Sequence, residues 1–451
     1  MLRPNTLHAL LAIVFLAVAP ALADAQSAGY PDPSFGTNGI APLASFGVGQ
    51  LGAIGLQHFG GEERIVALGP NNAWKLARYK FTQRGVQLDT SFGVQGYVTA
   101  PVNGANARLG MVVQADNKLV VVGVVTKSRK EGGVLTVARY TENGVLDTSF
   151  GDGGIVTLPA YSNARLPRLQ SDGKILLAVA IYPSDTVVIR LNQDGTPDPT
   201  FGETGVVTLA NVGSVYALVA QPVQNEAGQT VEEKIVVTTA RDVPTDADPN
   251  RKVGAVVRLK ADGTLDATFP WLAVGAHGTY PADVTVDGAG RIVVGGSASY
   301  QVEGVWHYDV MVARYRADGV LDATFGPWGG GVSTQHSPGG VIENVAIGSD
   351  GKILVVGYPT PTYPNSRGLL VWRFDESGQP DASFGDDGLM FTLTTDSSGE
   401  FDPFGSMWAF GPGPIIAFPD AGNTFLVGGV AYVAQSKRVV TAVAALGRFV
   451  Y

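Results

Sequence analysis

A seven-bladed β-propeller with four-stranded blades is the fold class this sequence predicts. Three observations predict it: an acidic motif repeated seven times, a short apolar run in each repeat, and chain ends that each carry only part of a repeat. The composition agrees, with 451 residues, 45% hydrophobic, 16% charged and 59 glycines. That balance suits many short strands joined by tight turns.

The motif reads DPSFG at Asp32, DTSFG at Asp89 and Asp147, DPTFG at Asp198, DATFP at Asp266, DATFG at Asp322 and DASFG at Asp381. Successive copies are 57, 58, 51, 68, 56 and 59 residues apart. Each copy keeps Asp, then Ser or Thr two positions on, then Phe, and Pro270 alone breaks the Gly that follows. Upstream lies an Arg followed by Tyr, Leu or Phe: Arg78, Arg139, Arg190, Arg258, Arg314 and Arg373, with Arg448 near the C-terminus. From Arg139 to Arg373 the Arg precedes its Asp by eight residues, and by eleven at Arg78. Asn-Gly, Asp-Gly or Ser-Gly turn signals sit between them in most copies.

Earlier still in each unit is the apolar run, as ERIVALG, NKLVVVG, GKILLAV, EKIVVTT, GRIVVGG, GKILVVG and NTFLVGG. Its length and β-branched content are those of a buried strand. In the unit from Val341 four stretches can be marked, VIENVAIG, KILVVG, LLVWRF and LMFTL, which is one four-stranded blade. The last unit supplies three strands and stops at VAALGRFVY, while residues 29–43 carry an acidic motif and one strand with nothing before them. Joining the ends completes one blade and removes an open sheet edge.

These units resemble the delta-60 repeat family of bacterial propeller-like proteins, whose hallmark is the combination seen here as SDGKILVVG, an Arg-aromatic pair and GQPDASFGDDG. They are distantly similar to propellers of the NHL type, as in VTVDGAGRIVVGGS from Val284. The resemblance implies a fold and a habit of export, with no activity attached.

The N-terminus reads as an export signal over residues 1–25: Arg3, an apolar stretch from Leu7, then small residues around Ala23 and Ala25. The mature chain, 26–451, is expected to be a single propeller domain, periplasmic or secreted, without a transmembrane segment and monomeric. With no cysteine, neither disulfides nor thiolate chemistry enters. A net charge of −9 without a basic stripe argues against a nucleic-acid partner.

The repeated Asp, Ser or Thr, Phe and Arg are expected to build the turn and an ion pair inside each blade, because a residue present in every blade serves the blade. A repeated calcium site is the rival, and DGTLDATF offers it only two carboxylates. Function is sought where copies differ, in the long loops between second and third strands: VTKSRKEGG, ARDVPTDADPNRK, SASYQVEGVWHYD and YPTPTYPNSRG. That face gathers Tyr280, Trp306, Tyr308, Tyr363 and Trp408, rings suited to sugar or peptide contacts. It also gathers His277, His307 and His336, three imidazoles that could hold a divalent metal and leave a position for water.

Two functions follow from these residues. The first is a non-catalytic binding propeller for a carbohydrate, peptide or envelope protein. The alternative is a metal-assisted hydrolase or lyase using the three histidines. The first is the expectation, since no nucleophile elbow or phosphate loop stands out.

Overall fold

The computed structural model describes residues 32, 34–36, 40–43, 51–70, 73–103, 105–128, 132–160, 163–164, 167–181, 185–243, 252–269, 272–273, 278–302, 305–327, 330–335, 340–359, 368–393, 407–408, 415–416, 424–436 and 439–450. The export-signal segment lies outside the described residues. Every named element is a strand and every pairing is antiparallel; most join neighbours in a meander, and one joins Ile40–Pro42 to Val439–Val450.

The unit from Val341 shows how a blade forms. Its strands are Gly340–Ile347, Ile353–Pro359, Gly368–Phe374 and Leu389–Leu393, paired in that order. The first is innermost, and the chain steps outward through short turns. Second and third strands are apolar on both faces because a blade packs on each side. In the second blade, Val121 and Ala138 pack with Trp74 and Leu76 of the first, while Val120, Val122, Leu135 and Val137 pack with Ile175 and Leu177 of the third. Burying one such Val or Leu contributes roughly 1.5–3 kcal/mol.

The expectation of seven equivalent blades is corrected to six. Six blades are each cut from one continuous stretch: 53–103, 105–160, 163–209, 214–273, 278–335 and 340–393. The remaining strands form a composite sheet of another kind, ordered from the rim as Ile40–Pro42, Val439–Val450 and Thr424–Ser436. Among the described residues, its inner place holds two two-residue strands, Met407–Trp408 and Ile415–Ile416. Between these lies the sequence Gly411-Pro412-Gly413-Pro414, whose prolines carry no N–H to donate to a ladder.

Four strands per blade is likewise not uniform. In the first blade both Gly85–Leu88 and Tyr97–Asn103 pair with Ala73–Thr82. The eleven-residue spacing from Arg78 to Asp89 causes this, since the extra residues extend the hairpin, pairing Tyr79 with Leu88 through Thr82 with Gly85. At the inner position of the third blade the described residues form two short strands, Asn163–Ala164 and Arg168–Leu169, both paired with Ile175–Ile181.

The two chain ends do meet. Ile40 pairs with Gly447, Ala41 with Leu446 and Pro42 with Ala445. Phe35, Ala41, Leu43 and Leu426 then share one core with Leu51, Ile54, Ile65 and Tyr79 of the first blade. The N-terminal strand thereby closes the ring against its first blade.

Candidate functional site

The repeated residues form one constellation, and the third blade shows it in full. Arg190 donates from Nε to Asp198 Oδ2 at 2.6 Å and from Nη2 to Thr200 Oγ1 at 2.9 Å. The Thr200 amide and hydroxyl both donate to Asp198 Oδ1, at 3.0 and 2.7 Å. The guanidinium lies over the Phe201 ring, 4.6 Å from its centroid. Its Nη1 leaves the blade and donates to the Ala261 carbonyl of the fourth blade at 2.6 Å. The same reach joins Arg78 to Glu142, Arg139 to Gln193, Arg258 to Ala317 and Arg314 to Glu376. Arg373 pairs with Asp381 at 2.8 Å and stacks on Phe384. In the composite sheet Ser34 donates to Asp32 from its amide and hydroxyl at 2.9 and 2.6 Å, and Arg448 pairs in register with Leu426.

A second tie runs through the motif glycine. Its N–H donates to the next blade from Gly93 to Asn143, Gly151 to Asp194, Gly202 to Asp262 and Gly326 to Ser377, and Gly36 does so to Arg84. Gly151 adopts φ +56, and a Cβ there would stand 2.6 Å from the Ile155 carbonyl oxygen. Only glycine fits. Pro270 has no N–H to offer, and at that seam buried Gln221 donates to Gly290 and Ala317 of the fifth blade, at 2.8 and 3.1 Å. Gln57 does the same between the first two blades, reaching Asn117 and Glu142.

Sequence reasoning missed a third partner of the Asp. The basic residue opening the second strand approaches the same carboxylate: Lys118 to Asp147 at 3.4 Å, Lys174 to Asp198 at 3.2 Å, Lys234 to Asp266 at 2.9 Å and Lys352 to Asp381 at 2.8 Å. Arg64 stands 3.5 Å from Asp89 in the first blade. The signal was present, since six of the seven apolar runs carry Lys or Arg at their second position.

Burial alone would raise these carboxyl pKa values, but the hydroxyl, amide and cationic partners more than offset it. Asp147 is lowered to about 2 against burial by Ser149, Arg139 and Lys118, and Asp198 to about 2 by Thr200, Lys174 and Arg190. Asp89, Asp266, Asp322 and Asp381 shift downward by the same balance.

On the opposite face, here called the irregular face, the described strands reach to different lengths from blade to blade. In the fifth blade the hairpin of Ile292–Val302 and Val305–Tyr315 extends past the sheet, with Tyr300 opposite His307 and Val302 opposite Val305. His307 lies flat on Tyr300, centroids 5.4 Å apart, and the Tyr300 hydroxyl donates to Asp309 at 3.2 Å. Burial and the Asp309 charge raise the Tyr300 pKa. Val305 at the tip is 50% exposed. Tyr280 pairs with Ser297 and Tyr308 with Ser299, which puts both on the face of the hairpin opposite His307. In the fourth blade Lys252 bonds Asp242 at 2.6 Å, which raises its pKa, with Tyr216 and Tyr280 within electrostatic reach.

The sequence-derived candidates are therefore only partly brought together. Tyr280 and Tyr308 share a face, Trp306 pairs with Gln301, and Trp408 pairs with Val430 in the composite sheet. His277, His336 and Tyr363 lie outside the described residues. Among the described residues, no group of three or more His, Asp or Glu could hold a metal, and no helix is long and apolar enough to cross a membrane.

Five segments, 114–150, 170–201, 252–269, 290–325 and 348–384, match the sequence model of a family described as "Domain of unknown function (DUF5122) beta-propeller". The chain is an all-β propeller. Two solved structures are similar in fold. One is the polysaccharide lyase Uly1, at 11% identity over 96% of this chain and 94% of that one, with a TM-score of 0.42. The other is the β-propeller domain of the Trilobed protease from Pyrococcus furiosus, at 11% identity over 88% and 94%, with a TM-score of 0.39. No curated protein matches the chain.

Proposed function

We propose that the chain is an exported binding propeller that holds a carbohydrate, peptide or envelope protein on its irregular face, without catalysis. One observation carries this reading. The polar residues common to the blades are engaged with one another and with the next blade, as Arg190 is with Asp198, Thr200 and Ala261. What varies from blade to blade is the opposite face, where the fifth-blade hairpin extends past its sheet and stacks His307 on Tyr300. Variable loops on a rigid ring are where binding sites are commonly built. The resemblance to delta-60 repeats, and the signal-like residues 1–25, support export.

The test is recovery of ligands from native extracytoplasmic extract by the mature chain, beside a variant in which Tyr300 to His307 is replaced by Asn-Gly. That pair closes Ser299 and Tyr308 in a two-residue hairpin turn and spares the sheet. The reading expects a ligand held by the mature chain and lost by the variant. Equal recovery by both, or by neither, contradicts it.

A further inference from the structure

The fourth blade departs from its neighbours on the face that carries the repeated constellation, opposite the irregular face. In the second and sixth blades the turn from first to second strand closes on the basic residue itself: the Gln114 amide donates to the Lys118 carbonyl and the Gly348 amide to Lys352, each at 2.8 Å. In the fourth blade the same kind of turn runs from Asn225 to Gln229, and four ladder pairs, Gln221 with Lys234 through Gln224 with Thr230, lie between it and the body of the blade. Lys234 meets Asp266 at 2.9 Å, so the added ladder is a finger standing out beyond the constellation.

The finger is held at tip and base. Asn225 Oδ1 accepts the Ala227 and Gln229 amides, both at 3.0 Å. The Glu233 carboxylate accepts the Ser171 amide of the third blade at 3.0 and 3.1 Å and Gln170 Nε2 at 3.3 Å. One side is nevertheless open. The third strand, Lys252–Leu259, pairs with the second only from Ile235 onward, so among the described residues no strand neighbours 230–234 on that side. The register shift between Val223 and Gln224 leaves Val231 as the extra residue, and it is 63% exposed. Glu226 and Glu232 are exposed as well, and from Pro222 to Glu233 the chain has three acids and no base.

We propose that this open edge receives an extended, basic segment of a protein partner as an added strand. The inference goes beyond the binding reading above, which concerns the other face. Main-chain hydrogen bonds supply the affinity in strand addition, and a finger fixed in advance spares the cost of ordering it. Charge chooses the occupant. A second copy pairing antiparallel through the same edge would set acids against the same acids, and like charges opposite one another destabilise paired strands. A strand alternating basic and apolar residues instead offers a cation to Glu232 and an apolar contact to Val231. Natural sheets blunt their exposed edges, commonly with Lys or Pro. Acids alone guard this edge against itself and leave it open to a basic strand.

The test is fluorescence anisotropy of a labelled octapeptide alternating Lys and Val, titrated with the mature chain. It runs beside an octapeptide alternating Glu and Val, and beside the Lys peptide N-methylated at every second amide. The Lys peptide is expected to bind and the Glu peptide not to, and N-methylation to cost at least about tenfold in affinity by removing main-chain donors. Glu232→Lys should lower affinity about tenfold, while Glu203→Lys, the same charge change at an exposed site of the third blade, should lower it less than about twofold. No binding of the Lys peptide, equal binding of the Glu or the N-methylated peptide, or equal losses in the two variants overturns the proposal.

Discussion

Replacing Arg190 with Met probes the constellation where it is most complete. The substitution keeps the aliphatic stem but removes the bonds to Asp198 and Thr200, the stacking on Phe201 and the reach to Ala261. Asp198 is 2% exposed and would keep only Lys174 as a cation, at 3.2 Å. Removing one partner of a buried pair costs about 3–5 kcal/mol, and the lost cross-blade bond adds about 1 kcal/mol. Lys174 offsets part of this, so about 3–5 kcal/mol is expected in total. Urea unfolding followed by circular dichroism at pH 7 reads it as a lower midpoint at unchanged slope. The double variant with Asp198→Asn should lose less than the sum of the two singles, because the stranded charge is gone. A loss under about 1 kcal/mol would mean the bonds are incidental, as exposed ion pairs usually are.

Two further outcomes follow from the same geometry. Tyr140 is buried in the core between the first two blades with its hydroxyl unpartnered, and Phe374 fills the equivalent place in the sixth blade. Tyr140→Phe should therefore stabilise the fold by about 1 kcal/mol in the same assay, and a loss of that size would contradict the reading. The carboxyls of Asp147 and Asp198, lowered to about 2 from 3.8, contribute stability that is complete above the unfolded-state value and lost as pH falls through the folded one. Unfolding midpoints should hold steady down to about pH 5 and fall between about pH 4 and 2, less steeply in Asp198→Asn; an unaltered slope in that variant would refute the assignment.

Most of the scaffold was legible because each blade repeats the same local chemistry. The four stretches marked in the unit from Val341 coincide with strands to within a residue at their starts, since turn signals bound each apolar run. The eight-residue separation of Arg and Asp became the pair itself. Where repetition failed, so did the reading. The last sheet takes strands from both ends of the chain, and among the described residues its inner place shows two two-residue strands, so six blades and not seven are equivalent. The Arg reach into the next blade, and Arg168 meeting Asp283 across the channel, depend on how blades stand around a ring. No spacing along the chain encodes that. The aromatic candidates were chosen by loop, and facing along a strand then separated His307 from Tyr308.

The most direct measurement is a disulfide across the seam where the chain ends meet. The protein has no cysteine, so Ala41→Cys with Leu446→Cys introduces a lone pair of thiols at partnered positions. Adjacent antiparallel strands bring such Cα atoms within bridging range. Mild oxidation of the folded chain should give an intramolecular bond in high yield, two mass units lighter, whereas an Ala41→Cys variant paired with a cysteine at Thr264 of the fourth blade should keep both thiols. If the Ala41 and Leu446 cysteines stay reduced, or link only between molecules, the ring is not closed by its own two ends.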